Sequence, residues 1–447
     1  MQGIAKISGS AIEDLNLENI GTLIEKRYKN SGVFVISVPS AIKKDIKRAI
    51  DTALKDDQKA KDQFKKIYER FKIRGFYEEK KTLESVNGAL EILELISKIK
   101  ETYPALEGQI YLSVENMVIS SIKKFLAEKI GSEKIKTYNG YESGIIVDQS
   151  RNEIMLNATI QRCKNFIKNA EADSVTLIGG LTASTSDKKI VKLQDGGSDL
   201  IASSLVISSE SNRLDLWTNV KGLMSADPSI IEGSRKIDIL SYSEALEIFS
   251  FIPSIFNPEA MELLKAKGVE LYVNDIKAPL ESGTVIRGEG VVSSNVVKAV
   301  VHLDSLAIFT LMGTGLKSLL PNLLNSFLLS NLKFYTVTQN ASGSEVNIII
   351  DRNDVNRYRN IIEIQFMGEK IQDYRILDNV CAVSIIGEGM KGTPGVASRL
   401  FGAVAKEKIN IIMITQGSSE LNIGFVINSQ DCKRAISAVH NEFINSA

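Results

Sequence analysis

Three short segments of this chain carry the residue types that phosphoryl chemistry requires. Lys6-Ile7-Ser8-Gly9-Ser10 joins a lysine to a glycine turn directly after an apolar opening strand. A transferring phosphoryl group needs a mobile positive charge beside closely spaced backbone N–H donors, because its transfer is mostly positioning and charge stabilisation. Gly196-Gly197-Ser198-Asp199 precedes the apolar run Leu200–Val206. Glycines there turn the N–H groups and positive dipole end of a helix toward an anion. Trp217 to Pro228, containing Thr218, Asn219, Gly222 and Asp227, reads as a strand end and loop. It suits a nucleotide pocket at the carboxyl edge of a parallel sheet. Each segment also has an ordinary reading: Gly-Ser turns are common, Asp199 suits a plain N-cap, and the third stretch suits a plain turn. Their joint occurrence in this order favours the phosphate reading.

The elements that must position these segments alternate in type. Val33–Val38, Ser174–Ile178, Leu214–Thr218 and Glu270–Val273 have buried-strand composition, and helical patterns lie between them at 15–29, 152–170 and 243–249. Alternation of this kind implies a mostly parallel sheet with helices on both faces. Residues 41–102 are rich in Lys, Asp and Glu with scattered apolar positions such as Ala49, Ile50, Ala53 and Leu54, the composition of a solvated helical lobe. A linker-like stretch at 287–296 closes this region of about 290 residues.

Beyond it lies an internal repeat. Residues 381–427 read as strand, glycine turn, amphipathic helix and two strands: Ala382–Ile386, Gly387 to Gly392, Val396–Val404 with Pro394 in a first helical turn, Ile409–Ile414 and Leu421–Ile427. A helix at 431–442 completes most of a ferredoxin-like unit. The same order appears roughly 75 residues earlier as Ala307–Met312, Gly313–Gly315, Pro321–Leu329, Phe334–Thr338, Val346–Ile350 and a helix from about Val355. Even the loop TQNASGSEVNI (338–348) answers TQGSSELNI (415–423). Two copies suit a tandem small-molecule sensor, or a repeated scaffold without a ligand.

The 54 basic residues balance 54 acidic ones, which removes any electrostatic reason to expect nucleic acid or an anionic membrane as partner. No apolar run approaches a membrane span, and the N-terminus lacks a signal pattern, so a cytoplasmic protein is expected. Three cysteines, Cys163, Cys381 and Cys432, show neither metal-like spacing nor even pairing, and reduced thiols are expected. With His302 and His440 the only histidines, a histidine metal cluster is not expected.

Residues 381–427 resemble the second ACT domain of aspartate kinases, through GEGMKGTPGVA (387–397) and ITQGSSELNI (414–423). The resemblance extends less tightly over almost the whole chain. It implies an amino-acid-kinase-like three-layer α/β/α domain at 1–290, its helical lobe at about 41–102. Two ferredoxin-like ACT domains would follow, at 297–375 and 376–447. The implied activity is ATP- and Mg2+-dependent phosphorylation of the side-chain carboxylate of L-aspartate, the first step toward lysine, threonine and methionine. The opening motif of the family falls on Lys6 to Ala11, making Lys6 the residue that neutralises the transferring group beside Ser8, Gly9 and Ser10. Its Gly-Glu falls on Val114-Glu115, with Glu115 holding the aspartate ammonium. Its Arg-Gly-Gly-Ser-Asp falls on Asp195 to Asp199, assigning Gly196 and Gly197 to phosphate, Ser198 to substrate and Asp199 to catalysis. Its nucleotide motif falls on Thr218-Asn219-Val220-Lys221-Gly222 and continues to Asp227. An amino-acid effector, lysine or threonine, is implied near Gly315, Gln339 and Asn340 in the first repeat and Gln416 and Asn422 in the second. Gln339 and Gln416 equally suit loop backbone groups. A homodimer through the repeats is also implied.

Several positions depart from the pattern of the family. Asp195 replaces the arginine that grips the substrate's α-carboxylate, Lys43 a threonine, Ser254 a lysine near ATP, and Ser229 a nucleotide-side arginine. At an effective dielectric near 20, charges about 4–5 Å apart interact by roughly 3–4 kcal/mol, so the change at Asp195 turns attraction into repulsion unless another cation compensates. Lys188 and Lys192 are candidates by sequence. Alternatively, Asp195 turns outward and its loop is rebuilt. Two readings follow: an aspartate kinase with a divergent site, or a catalytically impaired relative serving as an amino-acid-sensing or partner-binding subunit.

Overall fold

The computed structural model describes residues 3–13, 17–73, 79–148, 153–169, 173–288, 296–330, 332–368 and 370–445, the side chains of 72–81 excepted. It divides into two units, residues 1–223 with 236–291, and residues 224–235 with 292–447. Most of the linker expected at 287–296 lies outside the described residues.

An eight-stranded sheet organises the first unit. Its order is Ile239–Leu240, Thr284–Ile286, Glu270–Asp275, Arg213–Thr218, Ile4–Ile7, Gly32–Ile36, Val175–Gly179 and Ile135–Tyr138. Neighbours are parallel except Thr284–Ile286 against Glu270–Asp275. Buried on both faces, the central strands are continuous apolar runs such as GVFVI and VTLIG. From Ile4–Ile7 the chain goes to Gly32–Ile36 on one side and later to Arg213–Thr218 on the other. The carboxyl end of the opening strand is therefore a topological switch point, the crevice where open α/β sheets hold ligands.

The lobe expected at 41–102 is helical: Ser40–Ala53, Asp57–Ile73 and Glu79–Ile99. Ile42, Ile46, Ala49, Ile50 and Ala53 recur at helical spacing and are buried in one core with Phe64, Leu93, Met117 and the sheet residue Phe34. Its charges thus decorate a packed face.

The second unit carries a six-stranded antiparallel sheet, in the order Phe334–Gln339, Glu345–Asp351, Ala299–Gly313, Ile371–Ile386, Asn422–Asn428, Met413–Gln416. The strands Ala299–Gly313 and Ile371–Ile386, of 15 and 16 residues, serve both repeats. Residues 306–313 pair with 371–380, and beyond a register shift at Leu303/Leu306, residues 299–303 pair with 382–386. Val297 and Val300 consequently pack among Leu400, Phe425 and Ile436. The first repeat has its own core around Phe309, Phe327 and Tyr358.

Local details differ from the sequence reading. The first-repeat helix runs Leu316–Leu329 with Pro321 inside it. It starts early because Gly315 adopts φ 68 at its N-cap and Leu316, Leu319 and Leu323 already lie on the buried face. In the second repeat Gly395 caps Val396–Lys406 and leaves Pro394 outside the helix. The strand expected at Ile409–Ile414 forms at Met413–Gln416. The expectation of free thiols is corrected for two cysteines: Cys381 and Cys432 are disulfide-bonded across 51 residues, while Cys163 is free and buried. Wide spacing hid a pairing that the helix Cys432–His440 creates by packing against the strand holding Cys381.

Residues 224–235 leave the first unit and fold with the second. Ala226 joins the core of the second repeat. Ser225 N donates to Arg235 O at 2.8 Å and Val300 N donates to Ser225 O at 2.8 Å. Arg235 N donates to Ser225 Oγ at 2.9 Å, and that hydroxyl lies 2.9 Å from Nε2 of buried His440. Burial, then the charge of Arg235, holds the His440 imidazole below its ordinary pKa. The unfolded chain therefore takes up a proton that the folded unit resists. Stability is complete above the unfolded value of about 6.5 and declines as pH falls below it. Thermal unfolding followed from about pH 7.5 to about 5.5 should show this decline, and His440→Gln should flatten it. Equal slopes in both proteins would remove His440 as the cause.

Candidate active site

Lys6, in the opening strand, is buried and forms an ion pair with the equally buried Asp199. Asp199 lies in the first turn of the helix Gly197–Ser208, and the N-cap Gly196 has φ 85. A side chain at Gly196 would also strike Asn257, with a Cβ 2.3 Å from its amide nitrogen, so two constraints require glycine there. Asn257 N donates to Asp199 Oδ2 at 3.2 Å. Burial raises the pKa of the Asp199 carboxyl, and the charge of Lys6 is the strongest influence against it. The pair thus fixes a cation at the switch point and beside a helix N-terminus, where an anion is favoured from two directions.

Around it the glycine turns pack tightly. A Cβ on Gly9 would come within 2.8 Å of Val38 O, and one on Gly180 within 2.5 Å of Ser198 Cβ. Ser8 accepts from Ser10 N at 3.4 Å, and the two hydroxyls lie 3.0 Å apart. Ser37 Oγ donates to Ser198 Oγ at 2.7 Å. Thr218 ends its strand buried, accepting from Val220 N at 3.1 Å. Its backbone neighbour Trp217 accepts from Ser8 N at 2.9 Å, which ties the first and third motifs together. Asn219 is exposed in the following loop, and Gly222 is buried with φ 128. Asp227 belongs to the second unit and accepts from Ser229 N at 2.8 Å.

Glu115 is buried in the helix Pro104–Ile130 with both oxygens engaged. Oε1 accepts from Leu181 N at 2.7 Å and Thr182 N at 3.1 Å. Oε2 accepts from Gly140 N at 3.1 Å and Thr182 Oγ1 at 2.6 Å. A Cβ on Gly179 would lie 2.2 Å from its carboxyl carbon. In this geometry Glu115 organises the turn from Gly179 to Thr182 that borders Ser198.

Asp195 faces Lys43. Their charged atoms lie 3.8 Å apart, which supplies from the first helix of the lobe the compensating cation sought in Lys188 or Lys192. Lys192 stands 4.8 Å from the Tyr111 ring. Sequence reasoning did not single out Ser37, Asn257 or this pairing. Asn257 had a legible signal, an Asn-Pro step that caps the helix Pro258–Lys267.

In the second unit, Gly315 caps its helix and Asn340 Oδ1 accepts from Ser344 N at 3.0 Å and Glu345 N at 3.2 Å. Gln339 has a buried Nε2 without a partner, Gln416 is exposed, and Asn422 is half-buried at a strand start. Among the described residues, one group of three His, Cys, Asp or Glu ligand atoms is close enough to share an ion, Asp304 with Cys381 and Cys432, and its sulfurs are bonded to each other. The switch point instead offers the buried carboxylate Asp199. Both of its oxygens are engaged, by Lys6 and by Asn257 N, so a magnesium ion would enter held by the phosphates of a nucleotide and not by this carboxylate.

The profile of the amino acid kinase family matches residues 1–275. The chain belongs to that family. An ACT domain profile matches 383–443. Aspartokinase 2 of Bacillus subtilis is 25% identical over 361 residues, 79% of this chain and 86% of the relative. The bifunctional aspartokinase/homoserine dehydrogenase of Buchnera aphidicola is 27% identical over 280 residues, 61% of this chain but 34% of the relative, so the chain spans about a third of that protein. Among solved structures, E. coli aspartokinase III in complex with aspartate and ADP superposes with a TM-score of 0.81 at 16% identity, covering 99% of both chains. Clostridium acetobutylicum aspartate kinase gives 0.73 at 20% identity, covering 98% of this chain and 99% of that one. These superpositions establish the amino acid kinase fold with C-terminal ACT-type antiparallel domains, and the resemblance to aspartokinases holds in each comparison. No helix among the described residues is long and apolar enough to cross a membrane.

Replacing Glu115 by Ala strands the N–H groups of Gly140, Leu181 and Thr182 in a buried site. We expect a stability loss of about 2–4 kcal/mol, read from denaturant unfolding. A change under about 0.5 kcal/mol would mean that the turn does not depend on this carboxylate.

Proposed function

We propose that the first unit transfers the γ-phosphoryl group of ATP to the side-chain carboxylate of L-aspartate, forming 4-phospho-L-aspartate. As in the resemblance, this would be the entry to lysine, threonine and methionine synthesis, with the ACT repeats sensing lysine or threonine and carrying a homodimer in the cytoplasm. The observation that supports it most is the buried Lys6–Asp199 pair at the carboxyl end of the opening strand, beside the N-terminus of Gly197–Ser208. Lys6 neutralises charge on the transferring group, and N–H groups at Gly9, Ser10, Gly196 and Gly197 receive phosphate oxygens. Asp199 holds Lys6 in place, while Ser198 and Ser37 orient the attacking carboxylate. Thr218, Asn219 and Gly222 are assigned to the nucleotide; Asp227, which the resemblance adds to them, belongs to the second unit and is left out of this site. Magnesium, carried in on ATP, would be held by its phosphates and would neutralise their charge.

The impaired-relative alternative drew on Asp195, Ser229 and Ser254. With Lys43 beside it, Asp195 is a partnered charge, which removes the repulsion on which that alternative leaned most. A hydroxamate assay with Mg-ATP and aspartate should detect aspartyl phosphate. Lys6→Met should lower kcat by at least about a hundredfold while circular dichroism stays native. Absence of product from the native chain across a range of aspartate and ATP concentrations would refute the activity.

A further inference from the structure

We propose that Lys43 and Asp195 together form the clamp for the α-amino-acid end of the substrate, Lys43 taking its α-carboxylate and Asp195 its α-ammonium. This deepens the phosphoryl-transfer reading above and rests on it. The resemblance assigns the ammonium to Glu115, but that carboxylate is fully buried and already accepts four hydrogen bonds. Asp199 is likewise committed, to Lys6 and to Asn257 N. Asp195 is the reverse case: its side chain is 85% exposed and, among the described residues, its one ion-pair contact, to Lys43, is a loose 3.8 Å. A pair so placed gains little by itself and is readily opened by a ligand that offers each member an opposite charge. An amino-acid zwitterion does so.

The pair is also in the right place. Lys43 opens the helix that follows Ser37 in sequence, Asp195 directly precedes the Gly196 cap of the helix that carries Ser198 and Asp199, and the Ser37–Ser198 hydrogen bond of 2.7 Å joins the two segments. A small dicarboxylic amino acid can therefore present its side-chain carboxylate toward Lys6, Ser37 and Ser198 while its other end meets Lys43. Burial is the main influence on Lys43 and holds its pKa below the ordinary lysine value, with Asp195 opposing. An arriving carboxylate adds to that opposition, so the amine gains in the bound state what it lacks in the free one. Relative to the resemblance, the loop before Gly196 carries an acid in place of the arginine, and a cation stands on the lobe helix Ser40–Ala53 in place of the threonine.

Calorimetric titration of the Mg-ADP-saturated full chain tests the assignment with three ligands: aspartate, succinate, which lacks the ammonium, and β-alanine, which lacks the α-carboxylate. The native protein should prefer aspartate to each by roughly 10- to 100-fold. Asp195→Ala should abolish the preference over succinate and keep that over β-alanine; Lys43→Ala should do the opposite. Glu115→Gln should keep both. Each preference is a ratio within one variant, so partial unfolding cancels. Preferences unchanged in the Lys43 and Asp195 variants, or lost in Glu115→Gln alone, would overturn the clamp while leaving an aspartate kinase intact. Preferences that follow the pair without formation of aspartyl hydroxamate would keep the clamp and refute the reaction. Binding of none of the three ligands would overturn both.

Discussion

The buried ion pair between Lys6 and Asp199 is the constraint on which the rest of the first unit depends. It joins residues 193 positions apart, the end of the opening strand and the first turn of a helix. Removing two charges from water is costly, and such a pair survives only where geometry and extra hydrogen bonds compensate. Asn257 N supplies one such bond, and Gly196 at φ 85 lets the chain bring Asp199 in beneath it. The neighbouring glycines follow from the same crowding. Gly9 and Gly180 each pass so near strand exits that a methyl group would clash with backbone oxygen. What results is a crowded set of turns around one buried, paired cation, the kind of preorganisation on which the proposed phosphoryl transfer would draw.

A second constraint concerns how the two C-terminal repeats are built. Neither repeat is a contiguous stretch, because the strands Ala299–Gly313 and Ile371–Ile386 each contribute to both halves of one sheet. Val297 and Val300, at the very start of the unit, fill the core of the second repeat. The segment 224–235, which follows Thr218–Gly222 almost directly in sequence, is held in that same unit through Ser225, Ala226 and His440. The chain that leaves Gly222 therefore enters the second unit before it returns to complete the first sheet.

Much of this was legible in the sequence, for identifiable reasons. Strands buried on both faces have to be apolar throughout, so the parallel sheet declared itself in runs such as VFVI. Glycine turns ahead of helices declared the crowded turns around Lys6 and Asp199, and the repeated TQ…S…E…NI loop declared the tandem repeats. What stayed hidden was pairing between distant residues. Nothing local to Asp195 points to Lys43, 152 positions earlier, and nothing local to Glu115 reveals that three backbone N–H groups and a threonine consume it. Helix starts shifted where capping glycines, invisible as such beside a proline, outweighed the proline signal at Pro321 and Pro394.

A crystal structure of the chain with Mg-ADP and aspartate bound would test the role of the Lys6–Asp199 pair most directly. The expected result is a β-phosphate at the N-terminus of Gly197–Ser208 with an oxygen about 3 Å from Lys6 Nζ, Asp199 still beside the lysine. Phosphates seated away from that helix, with Lys6 more than about 6 Å from the nearest oxygen, would contradict the assignment of the switch point as the site of transfer.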